Sequence, residues 1–246
     1  MNTTLLEGSY NFFNMFKVMK YRHDFRKANP TYFNPDGLLV FCGGQGSGKT
    51  LSAVQYVKKI CRLYPKCILC TNTNIIGLPP TTKVYEYDGL KSLTDIGNGM
   101  NGVLYFIDEI HLEFNSLESK NIPIEVMVEI SQQRKQRKHI VGTSQVFMRM
   151  AKPLREQIKN VVLCKNYLHC IQFNKLIDGE HCREENGKLV ADTVKNSFWF
   201  HSPDLYNCYD TYAKMRRYNN EWQGVSRTNI YDTSINNNIN VGVMKK

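Results

Sequence analysis

Gly43-Gly44-Gln45-Gly46-Ser47-Gly48-Lys49-Thr50 satisfies the pattern G-x-x-x-x-G-K-[ST], in which successive backbone N–H groups turn inward to hold the phosphates of a nucleoside triphosphate. Its flanks supply the context that the pattern needs. Leu38-Leu39-Val40-Phe41 is a short apolar run that reads as a buried strand, and Leu51 to Leu63 places apolar residues at helical spacing. Strand, glycine loop and helix thus follow in order, and the helix start brings its positive dipole end to the same spot. The expected nucleotide-binding set is Gly43, Gly44, Gln45, Gly46, Ser47, Gly48, Lys49, Thr50 and Leu51. Within it Lys49 reaches the β- and γ-phosphates and the Thr50 hydroxyl ligates Mg²⁺, so ATP and Mg²⁺ are the expected cofactors.

Outward from the loop, the glycine-rich stretch Gly97 to Gly102 feeds Val103-Leu104-Tyr105-Phe106-Ile107-Asp108-Glu109, an apolar strand that ends in two carboxylates. Downstream of a phosphate loop this is a Walker B pattern. Asp108 is expected to hold Mg²⁺ through its water shell, and Glu109 to orient or deprotonate the attacking water. His111 and Glu113 read as rim residues. Pro123 to Lys138 reads as one helix, with proline at its start, Val126, Met127 and Ile130 facing inward and a solvated end from Gln132 to Lys138. Arg134 and Arg137 near that end share a helical face, which makes them candidates for an arginine reaching a neighbouring subunit's γ-phosphate; Arg149 and Arg155 are the competitors. His139 to Gln145 reads as another core strand with polar residues at its carboxyl end, where α/β proteins bind ligands. Gln145 is therefore a candidate γ-phosphate sensor.

The rest of the chain frames this core. Lys66 to Thr71 and Val84 to Tyr87 read as strands, and Leu90 to Ile96 as helical. Cys67 and Cys70 lie three apart on a strand, point to opposite faces and so do not converge on a metal. Before the core, Phe12, Met15, Phe16 and Met19 fall on one helical face with Lys17, Lys20 and Arg22 nearby. That is a basic amphipathic helix suited to a membrane surface, a partner or the protein's own core. After it, Val161 to Cys164, Leu168 to Ile177, Leu189 to Ala191 and Phe198 to Phe200 read as strands separated by the turn signals Asp178-Gly179 and Asn186-Gly187. They form an antiparallel extension whose cysteines and histidines lack zinc-site spacing. Tyr206 to Tyr218 interleaves aromatic and basic residues, which suits either contact with nucleic acid or a terminal helix packed on the core, and from Arg227 the asparagine-rich tail reads as disordered.

Composition sets outer limits. The 246 residues suit one substantial α/β domain with appendages, and 42% hydrophobic with 22% charged residues is ordinary for a soluble protein. No run approaches the roughly 18 apolar residues of a membrane span, and no signal peptide opens the chain. A net charge of +10 favours a polyanionic partner, and 8 scattered cysteines fit a reducing compartment better than a disulfide framework.

The ordered set Gly43 to Thr50, Ile107-Asp108-Glu109, the basic helix and the strand ending Thr143-Ser144-Gln145, with Pro153-Leu154-Arg155 after it, resembles the FtsK/HerA superfamily of DNA-pumping ATPases. Within that superfamily it is most similar to the zonula occludens toxin family of filamentous-phage assembly ATPases and to viral genome-packaging ATPases. The resemblance spans roughly Pro35 to Cys164. It implies phosphate and Mg²⁺ roles for Lys49 and Thr50, metal and water roles for Asp108 and Glu109, and sensing for Gln145. Phage assembly ATPases of this kind usually continue into a transmembrane helix and an outer domain. Their absence here shifts the expectation toward a soluble genome-packaging motor, and the asparagine-, tyrosine- and lysine-rich composition fits a phage or mobile element of an AT-rich host.

The resulting expectation is an α/β P-loop NTPase, a mostly parallel RecA/FtsK-like sheet sandwiched by helices with an antiparallel β extension. Its parts are an N-terminal amphipathic segment (1–36), an ATPase core (37–165), the extension with a terminal helix (166–226) and a disordered tail (227–246). The expected function is a DNA-translocating ATPase working as a homo-oligomeric ring in the host cytoplasm, with DNA and a capsid portal or membrane assembly as partners. The alternatives are a membrane-associated morphogenesis ATPase that handles DNA indirectly and a P-loop kinase. The kinase is disfavoured because Asp108-Glu109 is a hydrolase-type pair and no acceptor site or lid is evident.

Overall fold

The computed structural model describes residues 12–209, apart from Asp36, Asn98, Asn186 and Gly187. The described residues fall into two compact units, divided between Tyr32 and Phe33. In the first, α1 (Phe12–Ala28) carries Arg26 and Lys27 in its last turn, where cations complement the helix dipole. Phe13, Met15, Phe16, Val18, Met19 and Tyr21 are all exposed. At 100° per residue Val18 and Tyr21 fall away from the Phe16 and Met19 side, so apolar residues surround this helix and the single apolar face expected of it is not realised.

The second unit is built on one eight-stranded sheet. Its elements in chain order are β1 (Leu38–Cys42), α2 (Lys49–Leu63), β2 (Ile68–Thr71), β3 (Lys83–Glu86), α3 (Ser92–Asp95), β4 (Val103–Ile107), α4 (Ile124–Gln132) and β5 (Lys138–Ser144). They continue with α5 (Lys152–Arg155), β6 (Ile158–Tyr167), β7 (Ile171–Asp178), β8 (Arg183–Glu185), β9 (Lys188–Val190), β10 (Thr193–Phe200) and α6 (Pro203–Tyr206). The strand order is β10-β7-β6-β1-β5-β4-β2-β3, while β8 and β9 form a separate hairpin. Pairings from β6 through β3 are parallel; β7 and β10 join antiparallel. The antiparallel extension is thus the far edge of the same sheet.

Strands β1, β4 and β5 are buried at every residue, as strands covered by helices on both faces must be. Leu39, Phe41, Leu104, Phe106 and Val141 pack against the α2 residues Leu51, Val54 and Val57 on one face. Leu38, Val40, Val103, Tyr105 and Ile107 pack against Val126 and Ile130 of α4 on the other. Cys67 belongs to the first cluster and Cys70 to the second, so the two thiols do lie on opposite faces.

Two sequence expectations are corrected here. The helix that begins after Pro123 ends at Gln132, and Lys138 already belongs to β5. The polar run between them is not wholly solvated: Gln133 and Lys138 are buried, and Lys138 Nζ contacts Glu129 Oε2 at 2.7 Å and donates to Leu93 O at 2.8 Å. A buried ammonium needs such partners. The strand expected from Leu168 also starts later. Leu168 and His169 both take positive φ (51° and 55°) in the tight turn between β6 and β7.

Candidate nucleotide site

The loop after β1 opens at the carboxyl edge of the parallel strands, beside the end of β5, where Gly43 N–H donates to Ser144 O. Gly46 (φ 75°) and Gly48 (φ 76°) both adopt left-handed backbone, which lets the chain curl into a cradle before α2 begins. At Gly48 there is a second constraint, because a Cβ would meet Gln172 Oε1 at 2.1 Å. Among the described residues no side chain caps the start of α2, and no acidic residue lies in its first turn, so its first N–H groups face the cradle. Lys49, the first residue of α2, is buried with its ammonium 3.7 Å from Glu109 Oε1.

Strand β4 delivers the carboxylates to the same edge. Asp108 Oδ1 accepts hydrogen bonds from Thr50 Oγ1 (3.1 Å) and from Thr143 Oγ1 (2.5 Å). Its backbone is clamped from the residue that follows β2: Asn72 Oδ1 accepts from Asp108 N (2.8 Å), and Asn72 Nδ2 donates to Asp108 O (2.9 Å). Glu109 adopts left-handed backbone (φ 57°, ψ 48°), and its N–H donates to the Thr143 hydroxyl at 2.8 Å. Unusual backbone of this kind costs about 1–3 kcal/mol and persists where the surroundings fix it. Here the consequence is directional, for β4 ends at Ile107 and the chain bends at Glu109 so that its carboxylate turns toward Lys49.

His111 was expected at the rim. It is buried instead, with Nδ1 3.3 Å from Glu109 Oε2, because the left-handed residue and the 3₁₀ turn Ile110–Leu112 fold it back against that carboxylate.

The antiparallel edge contributes residues that the sequence did not single out. Gln172 on β7 is wholly buried, and its Nε2 donates to Ser47 O (3.0 Å) inside the glycine loop and to Asn174 Oδ1 (3.1 Å). Asn174 also exchanges hydrogen bonds with Ser52 in the first turn of α2. Behind them His201 places Nε2 3.3 Å from Gln172 Oε1, and burial pushes its pKa down. Burial also raises the thiols of Cys42 and of Cys164, the latter to about 12, which leaves both unreactive neighbours of the loop.

Gln145 follows β5 directly and is exposed at the same edge as the loop. Arg134 and Arg137 are placed differently. Both lie beyond the end of α4, Arg137 has left-handed backbone (φ 54°), and Arg137 O accepts from Val103 N at the amino end of β4. A helix that follows one parallel strand and precedes the next must run back down the sheet, so its end sits opposite the nucleotide edge. The shared helical face and the nucleotide-side position expected of this arginine pair are therefore not realised. Arg149, exposed shortly after β5, starts from the correct edge.

The residues present suit a triphosphate and a divalent cation. The curled backbone leaves a cradle with N–H donors, one buried ammonium stands at its head, and a hydroxyl and a buried carboxylate share one oxygen-ligand position at Thr50 and Asp108.

The sequence matches no protein-family model and no curated protein. Among solved structures the chain is similar to the N-terminal domain of zonular occludens toxin from Neisseria meningitidis, with 14% identity, a TM-score of 0.52, and coverage of 71% of this chain and 98% of that one. That superposition establishes a shared P-loop NTPase fold. Lower scores connect it to the DNA-packaging ATPase of Sulfolobus turreted icosahedral virus (13% identity, TM-score 0.43, 55% and 78% of the two chains). They also connect it to RuvB from Thermotoga maritima (17%, 0.34, 62% and 45%).

Proposed function

We propose that this protein is an ATPase that moves DNA as part of an oligomeric ring. The observation that carries the reading is the convergence of Lys49, Thr50, Asp108 and Glu109 at one sheet edge, with Lys49 Nζ 3.7 Å from the Glu109 carboxylate. A phosphate cradle whose cation already faces a carboxylate is arranged for hydrolysis, since the γ-phosphoryl held by Lys49 would sit within reach of a water on Glu109. Glu109 accepts that water's proton as the oxygen attacks phosphorus and the β–γ bridging bond breaks, with Lys49 neutralising charge on the departing diphosphate. Thr50 and Asp108 would hold Mg²⁺, which supplies charge neutralisation at the β- and γ-phosphates. Gln145 is the proposed γ-phosphate sensor and Arg149 the proposed trans arginine. Net charge of +10 supports a polyanionic partner.

The test is ATP hydrolysis by the purified protein alone and with duplex or single-stranded DNA. Strong stimulation by DNA is expected, with binding that weakens steeply with salt and ignores sequence. Hydrolysis indifferent to DNA would refute the motor. The morphogenesis alternative draws on α1, whose exposed Phe13, Phe16 and Met19 accompany Lys17, Lys20 and Arg22. Among the described residues no helix is long and apolar enough to cross a membrane. Co-flotation with anionic vesicles, abolished by Phe16→Ser with Met19→Ser, would favour that alternative.

A further inference from the structure

The antiparallel edge of the sheet has two faces with different contents. One carries Gln172, Asn174 and Trp199 toward the phosphate loop and α2. The other carries Tyr167 on β6, Phe173 on β7, and Phe198 and Phe200 on β10, all exposed. These rings form a continuous row, with centroids 5.1 Å apart for Tyr167 and Phe173, 5.9 Å for Phe173 and Phe198, and 6.3 Å for Phe198 and Phe200. Large aromatics are rarely spent on a solvent-facing sheet surface without a ligand or partner to cover them. The charge on this face is equally one-sided. Lys165 pairs directly opposite Phe173, Lys175 is two residues along the same strand, and both are exposed. Asp178, the one carboxylate within these three strands, alternates onto the opposite face with Gln172 and Asn174.

We infer that this face is a binding platform for single-stranded nucleic acid. Rings fixed on a sheet offer stacking surfaces to unpaired bases of any sequence, and the interleaved ammonium groups contact the phosphates between them. Duplex DNA hides its base faces and cannot use the rings. A lipid surface takes rings as one apolar patch with cations at its rim, whereas here Lys165 lies in register beside Phe173 within the row. The inference deepens the DNA-handling reading by naming the form of nucleic acid and the surface that grips it. Because Phe173 lies between Gln172 and Asn174, a strand bound on this face presses on the β-strand that braces the phosphate loop.

The experiment uses the full chain and fluorescein-labelled oligothymidylate and oligouridylate of about 12 nucleotides, within the range that single aromatic platforms occupy. Anisotropy titrations are compared for the wild type, Phe198→Ala, Phe200→Ala, and Lys165→Gln combined with Lys175→Gln. Each ring removed should weaken binding roughly 5- to 150-fold, the equivalent of about 1–3 kcal/mol per stacked base. The lysine pair should flatten the dependence of log affinity on log salt by about 0.7 per lysine. Melting temperature and affinity for a fluorescent ATP analogue should stay at wild-type values, since none of these side chains touches the loop. A preference for one oligonucleotide tells DNA from RNA. The inference is overturned if the wild type binds neither oligonucleotide, if the variants bind with wild-type affinity and salt slope, or if they change only the sedimentation of the chain, which would make the face a contact between copies. None of these readouts requires hydrolysis. ATPase activity indifferent to DNA therefore counts against the motor alone, and unaltered oligonucleotide binding by the variants against the platform alone.

Discussion

Replacing Thr143 with valine should separate nucleotide binding from turnover. Thr143 is wholly buried, and its hydroxyl accepts from Glu109 N–H at 2.8 Å while donating to Asp108 Oδ1 at 2.5 Å. Valine keeps the shape and deletes both bonds. A buried polar group deprived of its partner costs about 1–3 kcal/mol, and Asp108 keeps its bond from Thr50, so the two losses together should cost about 2–4 kcal/mol of stability. For a chain of this size that corresponds to a melting temperature lower by roughly 4–16 °C. The effect on chemistry has a different origin, because the Thr143 bond helps to hold Glu109 in its left-handed conformation. If the carboxylate loses even about 1.4 kcal/mol of its preference for the productive orientation, kcat falls about tenfold. Lys49 and the glycine loop are untouched, so affinity for a non-hydrolysable ATP analogue should change less than threefold. Steady-state hydrolysis, calorimetric titration with the analogue and thermal melts are the assays, with Thr143→Ser as the variant that restores the hydroxyl. Wild-type turnover in Thr143→Val would refute the reasoning, as would damage in Thr143→Ser equal to that in valine.

Other outcomes follow from the same geometry. Lys49→Ala should abolish nucleotide binding, while Glu109→Gln should bind normally and hydrolyse about 10²- to 10⁴-fold more slowly, because the first contact exists in the ground state and the second acts on water during reaction; equal turnover by Glu109→Gln and wild type would remove Glu109 from the mechanism. Gln172→Ala, which takes away the bond to Ser47 O, should weaken ATP-analogue binding roughly 5- to 30-fold as the loop loses its brace, by about 1–2 kcal/mol; calorimetry showing unchanged affinity would mean that the loop holds its shape unaided. Burial pushes the Glu129 carboxyl up, but hydrogen bonds from Lys138 and Gln136 and the Lys138 charge outweigh it, and the net pKa is depressed. The stability that Glu129 contributes is complete above the ordinary glutamate range and is lost as pH falls through its lower folded value. Thermal melts should therefore show an acid-side decline that is weaker in Glu129→Gln, a variant already less stable at neutral pH for leaving Lys138 with less compensation.

Much of the fold was legible because its signals are local. The glycine loop, the apolar run before it and the strand ending Asp108-Glu109 each lie within a dozen residues, and covered parallel strands read as unbroken apolar runs. What was hidden is what depends on pairing. Thr143 meets Asp108 across 35 residues, and Gln172 meets Ser47 across 125; the polar end of β5 marks the ligand edge but not Thr143 as the partner of Asp108, and nothing near Gln172 marks it at all. The overrun of α4 has another cause. Gln132 to Arg137 consists of good helix formers, so propensity continues where the parallel connection forces the chain to turn back into β5. For α1, Phe12, Met15, Phe16 and Met19 predict one face, and only Val18 and Tyr21 reveal that the others are apolar too.

The strand order has a consequence for how the protein is made. β1 is followed at once by the phosphate loop, yet its two sheet neighbours, β5 and β6, are synthesised about a hundred residues later, and the Gln172 brace later still. During synthesis the glycine loop therefore leaves the ribosome long before anything exists to shape it. Pairing over such separations is slow, and exposed strand edges invite association in the interval. A nascent chain halted anywhere before β7 should carry every residue of the nucleotide motif and still not hold a nucleotide. Competence should come abruptly as β6 and β7 close on β1, which makes the last third of the described chain the step that completes its most N-terminal motif.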